Sequence, residues 1–361
     1  MKLAVFKELN DQRVSIIPAS IPKLLALGVE VLVEKSAGKE AFYDDQEYKE
    51  VGAEIVERSF LLSNADVAIS IHPLAEKERS LLSSSCLLVA EFQPFNQTDI
   101  SQKLKETNFQ ALSLDMIPRT TLAQSMDVLS SMASISGYKA VLEAARLLPR
   151  YFPMMITAAG SIRPAKVLVL GAGVAGLQSI ATARRLGAMV EAFDTRSAAK
   201  EEVKSLGAKF IEIEGATEDT GAGGYAVAQS EDFLKRQREE VQLRASKSDI
   251  IITTAQVRGR KAPLLVPTST VEKMKKGSVI IDLAASTGGN CELTKNNELV
   301  NHNGVFIYGD SNLASKMPQD ASQLYSTNLL NFIKLFIKEG NLQLDLENEI
   351  IKSALITKDA Q

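Results

Sequence analysis

Residues 164 to 196 limit what this chain can become more than any other stretch. Val167 to Leu170 is a short apolar, β-prone run, Val174 to Leu186 has the spacing of a buried helix, and Gly171-Ala-Gly-Val-Ala-Gly lies between them. A strand, a tight glycine turn and a helix start therefore follow in order. In such a unit Gly171 makes the turn, Gly173 lets a pyrophosphate approach the backbone, and Gly176 lets helix and strand pack closely. The phosphates meet unpaired N–H groups of the turn and helix start, here Gly173, Val174 and Ala175, and the positive end of the helix dipole. Taken alone, the pattern also describes an ordinary glycine turn. Here a second strand, Ala188 to Phe193, leads to Asp194, 23 positions beyond Gly171. That is near the offset of ~20 residues expected of a carboxylate that accepts the adenosine ribose hydroxyls. Asp194 also favours NAD(H) over NADP(H), because a 2′-phosphate roughly 4 Å away would be repelled by ~4 kcal/mol per charge pair. Thr195 and Arg196 complete the candidate set. Arg196 either softens that repulsion or is a solvated arginine at a helix start.

A chain of 361 residues suits two domains. The net charge of −3, with no basic block, leaves no electrostatic footprint for nucleic acid. Cys86 and Cys291 lie far apart, which reads as two buried thiols in a reducing compartment and gives no metal site. Charges at Lys2, Lys7 and Glu8 interrupt what would be the apolar part of a signal peptide. No run approaches the ~18 apolar residues that span a bilayer; Leu329 to Ile337 is broken by Asn331 and Lys334. The expectation is a soluble, cytoplasmic chain.

Residues 1 to 117 alternate strands and helices. Strands are expected over Leu3 to Lys7, Val29 to Glu34, Val67 to Ile71, Leu87 to Phe92 and Ala111 to Met116. Helices are expected over Pro18 to Leu27, Asp44 to Val51, Glu76 to Leu82 and Asp99 to Thr107. This rhythm implies a parallel sheet covered on both faces, yet without a glycine-rich phosphate turn. A polar loop from Ile117 leads into a long helix, Val128 to Leu148, stopped by Pro149. Later strands of the glycine-turn unit fall at Lys209 to Ile213, Asp249 to Thr254 and Ser278 to Leu283. Residues 214 to 230 hold four glycines and one large side chain, Tyr225, which fits either a plain surface loop or a lid closing on nucleotide. The last helix, Ser322 to Ile337, has a buried-face pattern. The fold expected is α/β, with two Rossmann-like parallel-sheet domains joined by long helices and a cleft between them. The first comprises 1–131 plus 311–361, and the second, which binds NAD(H), 132–310.

A dehydrogenase acting on an alcohol or amine must move a proton as well as a hydride. His72 beside Pro73 and His302 in Asn-His-Asn-Gly read as surface or turn residues, and no metal-ligand cluster is present. Hydride exchange between two nicotinamides needs no such proton transfer, only approach to roughly 3–3.5 Å.

The stretch Pro118-Arg-Thr-Thr-Leu-Ala-Gln-Ser-Met-Asp-Val-Leu-Ser-Ser-Met-Ala resembles the Arg/Gln/Asp/Ser loop of the NAD(H)-binding component, domain I, of proton-translocating NAD(P) transhydrogenases. Ile156-Thr-Ala-Ala-Gly, Gly171 to Leu177, Ala192-Phe-Asp-Thr-Arg, Asp282-Leu-Ala-Ala-Ser-Thr-Gly-Gly-Asn-Cys and Ser322-Gln-Leu-Tyr-Ser-Thr-Asn-Leu are similar to it in the same order. The resemblance implies that Arg119, Asp127 and Ser130 hold the nicotinamide end of NAD(H). It implies that Gln124 reaches toward NADP(H) on the NADP(H)-binding domain of a beta subunit, and that Tyr225 is the tyrosine of a mobile loop. It further implies a homodimer on the cytoplasmic face of membrane-spanning transhydrogenase subunits, which carry the proton movement.

Alanine dehydrogenase shares this fold and is the main rival. Its resemblance would place a substrate arginine at Arg13. However, Ala68-Ile-Ser-Ile-His-Pro has no lysine, Val89-Ala-Glu-Phe-Gln-Pro has no histidine, and Ser286 stands where that family has an aspartate. A non-catalytic NAD(H)-binding module is a second rival. Arg258 and Lys261 remain between a solvated loop and a partner-docking role.

Overall fold

The structure, a computed structural model, describes residues 1–213 and 230–357. The chain forms two compact units, one from Met1–Met132 with the segment beginning at Ala314, the other from Ala133–Leu313. The helix Val128–Leu147 carries the chain from one to the next.

The first unit is built on six parallel strands: β1 (Lys2–Val5), β2 (Glu30–Glu34), β3 (Glu54–Val56), β4 (Val67–Ile69), β5 (Leu87–Ala90) and β6 (Gln110–Ser113). Their order is β3-β2-β1-β4-β5-β6, so the winding reverses between β1 and β4. Leu3 pairs with Val31 on one side and Val67 on the other. Leu3, Ala4 and Val5 are wholly buried, as a sheet covered on both faces requires. The C-terminal segment covers the β6 edge. The N–H of Ile356 donates to the Ala111 carbonyl at 3.0 Å and the N–H of Ala111 donates to Thr357 Oγ1 at 3.1 Å. An unpaired strand edge is thereby removed, a role that the partly apolar sequence of this tail does not signal.

In the second unit a separate hairpin, β7 (Met155–Thr157) with β8 (Gly160–Ile162), precedes a seven-stranded sheet. Its strands are β9 (Lys166–Leu170), β10 (Met189–Phe193), β11 (Lys209–Phe210), β12 (Ile250–Thr253), β13 (Val279–Asp282), β14 (Glu298–His302) and β15 (Val305–Gly309). The order is β11-β10-β9-β12-β13-β15-β14, with β14 antiparallel at the edge. The reversal again falls between the first strand of the winding, β9, and its neighbour β12. Both units are thus doubly wound in the same sense.

Several expected boundaries shift. The strand anticipated over Ala111 to Met116 ends at Ser113 and tightens into a 3-10 turn, Leu114–Met116. The one over Lys209 to Ile213 pairs only through Phe210. The loop from Ile117 contains a 3-10 helix, Thr121–Met126. The final helix starts earlier, at Pro318, where a proline lacking an N–H is tolerated in the first turn. The β14–β15 hairpin has no counterpart among the expected elements. It turns on Asn303 and Gly304, both at positive φ, which is the Asn-Gly chemistry of a tight hairpin. Cys86 and Cys291 are free and buried, and burial pushes the Cys86 thiol up to about 12 and the Cys291 thiol to about 11.

The helices Val128–Leu147 and Val174–Arg185 touch backbone to backbone. A Cβ added at Gly137 would lie 2.2 Å from the Ala175 carbonyl oxygen, and Ser179 Oγ donates to the Gly137 carbonyl at 3.0 Å. Gly137→Ala should therefore push the helices apart and destabilise the chain by ~1–3 kcal/mol, the usual cost of overpacking. Urea unfolding of the variant beside the wild type measures this, and a loss below about 0.5 kcal/mol would show that the contact is slack.

Candidate functional site

The second unit's site begins at the glycine turn between β9 and the helix Val174–Arg185. Gly171 holds φ at +102°, a conformation that side chains resist, and its N–H donates to the Phe193 carbonyl at 2.8 Å. A Cβ at Gly176 would fall 1.9 Å from the Gly171 carbonyl oxygen, so only glycine lets the helix sit this close. At Gly173 a Cβ would meet nothing within 4 Å; this is open space at the helix mouth. Gly173 is also the helix N-cap, and no side chain caps it. First-turn N–H groups, with Val174 exposed beside them, are thus left facing that space. These residues fit a phosphate-bearing ligand, since uncapped donors at a helix N-terminus favour an anion.

Asp194 stands directly after β10 and reaches back to the turn. Its Oδ2 accepts the Ala172 N–H at 2.7 Å, while Oδ1 accepts the Arg196 N–H at 2.8 Å. The Arg196 guanidinium grips the same carboxylate, Nε to Oδ1 at 3.0 Å and Nη2 to Oδ2 at 3.1 Å. Burial raises the carboxyl pKa, but these hydrogen bonds outweigh it and hold Asp194 below the ordinary carboxylate range. Arg196 is therefore a partner of Asp194 rather than a simply solvated residue, and Thr195 between them is exposed. Tyr225, expected on a mobile loop, lies outside the described residues.

The other candidate residues belong to the first unit. Asp127 and Ser130 form a local pair: Ser130 Oγ donates to Asp127 Oδ2 at 2.6 Å and Ser130 N to Oδ1 at 2.9 Å, an N-terminal cap on the long helix. Arg119 is largely exposed, with Nε 3.9 Å from Asp127 Oδ2, and Gln124 is exposed on the 3-10 helix. The final helix braces this loop. Asn328 Nδ2 and Asn331 Nδ2 donate to the Ser125 carbonyl at 2.8 and 3.2 Å, and Ser131 Oγ donates to Asn328 Oδ1 at 2.6 Å. Arg119, Asp127 and Ser130 thus lie together where the braced loop enters the long helix, with Gln124 projecting from the loop.

The reversal point of the first unit, between β1 and β4, is filled by the chain's own ionisable groups, of which sequence reasoning singled out Arg13 and His72 but missed Glu8, Asp11 and the cluster they form. Glu8, after β1, accepts the N–H of Ile71 at 2.6 Å and of His72 at 3.2 Å, both after β4. Asp11 takes Arg13 by both Nε (2.9 Å) and Nη2 (2.6 Å), and its Oδ2 lies 3.0 Å from His72 Nε2. The Arg13 guanidinium in turn lies 5.9 Å from the centre of the buried Tyr325 ring. No glycine precedes this cluster, and the pattern Glu-x-x-Asp-x-Arg carries no recognisable signal. His72 does keep 46% of its side chain exposed, as a surface residue would, yet its ring is tied to the buried carboxylate of Asp11. Among the described residues no group of His, Cys, Asp and Glu could hold a metal ion, and no helix is long and apolar enough to cross a membrane.

Two doubly wound units, of which the second carries an uncapped glycine turn followed by a carboxylate at the end of the next strand, define the dinucleotide-binding class of α/β proteins. Comparison with known proteins is specific. Residues 4–136 match the family described as alanine dehydrogenase/PNT, N-terminal domain, and residues 140–361 its C-terminal domain. The chain is 42% identical over 371 residues to the first of the separate parts of NAD(P) transhydrogenase subunit alpha from Rhodospirillum rubrum, covering 99% of this chain and 97% of that protein. It is 41% identical to NAD(P) transhydrogenase subunit alpha of Haemophilus influenzae, covering 100% of this chain and 71% of that one. Among solved structures, the transhydrogenase from Sinorhizobium meliloti superposes with a TM-score of 0.91 at 39% identity over 98% of each chain. An L-alanine dehydrogenase superposes at 0.80 with 25% identity, over 98% of this chain and 94% of that one. The chain therefore belongs to the alanine dehydrogenase/PNT family and, within it, stands with the NAD(P) transhydrogenase alpha subunits.

The ionic cluster makes stability depend on pH. Burial raises the Glu8 carboxyl from 4.5 to about 7, so its contribution is complete below pH 4.5 and is lost as pH rises through 7. The hydrogen bond to Asp11 raises His72 above its ordinary 6.5, giving the same sign: stability present below 6.5 and lost as pH rises past the folded value. Asp11, where burial is outweighed by Arg13 and His72, is held well below its ordinary 3.8 and acts only in acid. Unfolding free energy should thus fall between about pH 5 and 8, Glu8 accounting for ~1–3 kcal/mol. Glu8→Gln should flatten that slope in urea titrations; an unchanged slope would contradict the assignment.

Proposed function

We propose that the chain binds NADH at the second unit's glycine turn and presents it for hydride exchange with NADP+ held by a partner subunit. The observation that carries this reading is Asp194 reaching the mouth of an uncapped, side-chain-free helix start, with its Oδ2 2.7 Å from the Ala172 N–H. There the carboxylate accepts the adenosine ribose hydroxyls after Arg196 yields part of its grip, and the first-turn N–H groups take the pyrophosphate. The preference for NAD(H) over NADP(H) follows from the same carboxylate. The nicotinamide supplies the hydride; the protein contributes binding, orientation and exclusion of water.

Arg119, Asp127 and Ser130 hold the nicotinamide carboxamide, whose donors and acceptors match a guanidinium, a hydroxyl and a carboxylate. Gln124, exposed on the same loop, faces the incoming NADP(H) nucleotide. The chain works as a homodimer with an NADP(H)-binding beta-subunit domain and membrane-spanning subunits, on the cytoplasmic face, where proton translocation is coupled to transfer. The names of the two transhydrogenase relatives from Rhodospirillum rubrum and Haemophilus influenzae, each an alpha subunit, support a multi-subunit assembly.

The amino acid dehydrogenase reading is weaker on this chain. Arg13, the residue it would use for a substrate carboxylate, is already closed by Asp11 through both Nε and Nη2.

Mixing the chain with an NADP(H)-binding transhydrogenase component and a spectrally distinct NAD analogue should give NADPH-dependent reduction of the analogue. A parallel sample with alanine and NAD+ should give none; turnover there and not with the nucleotide pair would reverse the assignment. Asp194→Ala should weaken NADH binding by ~1.5–3 kcal/mol, the worth of hydrogen bonds to a charged group. Gln124→Ala should slow transfer while leaving NADH affinity within about twofold, and equal damage to both would remove it from the acceptor side.

A further inference from the structure

At the carboxyl edge of the second unit's sheet, two loops are tied together through one side chain. Asp282, the last residue of β13, is wholly buried. Its carboxylate accepts the N–H groups of Ala284 (3.0 Å), Asn290 (2.7 Å) and Cys291 (3.0 Å) and the hydroxyl of Thr294 (2.6 Å). The loop after β13 is wound around this one acceptor, and the winding delivers Asn290 to the loop after β12.

Asn290, also wholly buried, commits its entire carboxamide to that neighbour. Nδ2 donates to the carbonyls of Ala255 and Pro263, each at 2.8 Å, and Oδ1 accepts the Ala255 N–H at 3.1 Å. Its backbone carbonyl accepts Leu265 N and Val266 N at 2.8 and 2.9 Å. Both amide protons are engaged, so the side chain has no donor left for direct recognition of a ligand.

What Asn290 holds is the wall of the glycine turn. Thr254, next to Ala255, donates its hydroxyl to the Gly171 carbonyl at 3.1 Å. Thr254 Oγ1 also lies 2.5 Å from where a Cβ at Gly171 would stand and 3.3 Å from one at Gly176. A dinucleotide crossing the reversal point of this sheet places its adenosine half toward β10, where Asp194 stands. Its other half then runs toward β12 and β13.

We infer that Asn290 is a positioning residue for the nicotinamide mononucleotide half of the ligand: it fixes the height of residues 254–263 beside the glycine turn without touching the nucleotide itself. The inference rests on the nucleotide site proposed above. It predicts a split that loss of general stability would not produce.

The test measures NADH and 5′-AMP binding by calorimetry on wild type, Asn290→Ala and Asn290→Ser. The serine variant retains a hydroxyl in case the alanine variant does not fold. NADH affinity should fall at least about tenfold while 5′-AMP affinity stays within about twofold, and Asp194→Ala should weaken both ligands. Parallel loss of NADH and 5′-AMP, unchanged NADH affinity, or failure of both Asn290 variants to fold would reduce the residue to a structural one and overturn the assignment. A wild-type chain that binds neither nucleotide would instead refute the nucleotide site, a distinct result.

Discussion

The second unit depends on a helix lying against a turn at a distance no side chain permits. With 1.9 Å between the Gly171 carbonyl oxygen and the place of a Gly176 Cβ, any larger residue would lift the helix Val174–Arg185 off the sheet. That approach does three things together. It aims the helix N-terminus at the reversal point, it brings Ala172 N within reach of Asp194, and it lets the long helix contact Ala175 through Gly137. Close packing and an open, uncapped helix start are here one geometric fact, because both need backbone where side chains usually stand.

The two units answer the same topology in opposite ways. Both sheets reverse direction between the first strand of the winding and its neighbour, the place where open α/β sheets offer a crevice. In the second unit that place has an open Gly173 and unpaired donors. In the first it is packed with Glu8, which accepts backbone N–H groups, and with Arg13 and His72, which both pair with Asp11. A buried ionic network is costly to desolvate and adds little net stability. Its consequence is local: Glu8 already takes the N–H groups of Ile71 and His72 that a phosphate would need there, and Asp11 fills the fork of Arg13 that a carboxylate would need. This offers a physical account of how one family fold can part from amino acid chemistry without altering its strand order.

The sequence is most legible where a backbone requirement fixes residue type. The glycine turn, the strands beside it and Asp194 can be placed because spacing and conformation leave few choices. The loop holding Arg119, Gln124, Asp127 and Ser130 can be singled out only by resemblance, since as isolated residues they read as a polar helix cap. The structure explains why that reading is natural: Ser130 and Asp127 do cap the long helix. Arg196 has two roles open to it in the sequence, and only the folded chain pairs it with Asp194. Glu8, Asp11, Thr254 and Asn290 carry no signal. Glu8 reaches a partner 64 positions away and Thr254 one 83 away, and no local pattern reports a contact of that separation.

By itself the sequence determined the class of fold, the identity of the unit that carries the glycine turn, and the family resemblance. These follow from periodicity, from glycine's freedom at positive φ and from residue order, all local properties of the chain. The tertiary structure alone decided which polar groups are free and which are already taken. Arg13 and Asp194 both look available in the sequence, yet the fold engages each: Asp11 grips Arg13 within a packed core, while Arg196 and the Ala172 N–H hold Asp194 beside a turn whose Gly173 faces open space. Hydrogen-bonding capacity is consumed by whatever the fold brings near, so availability is a property of the packed molecule.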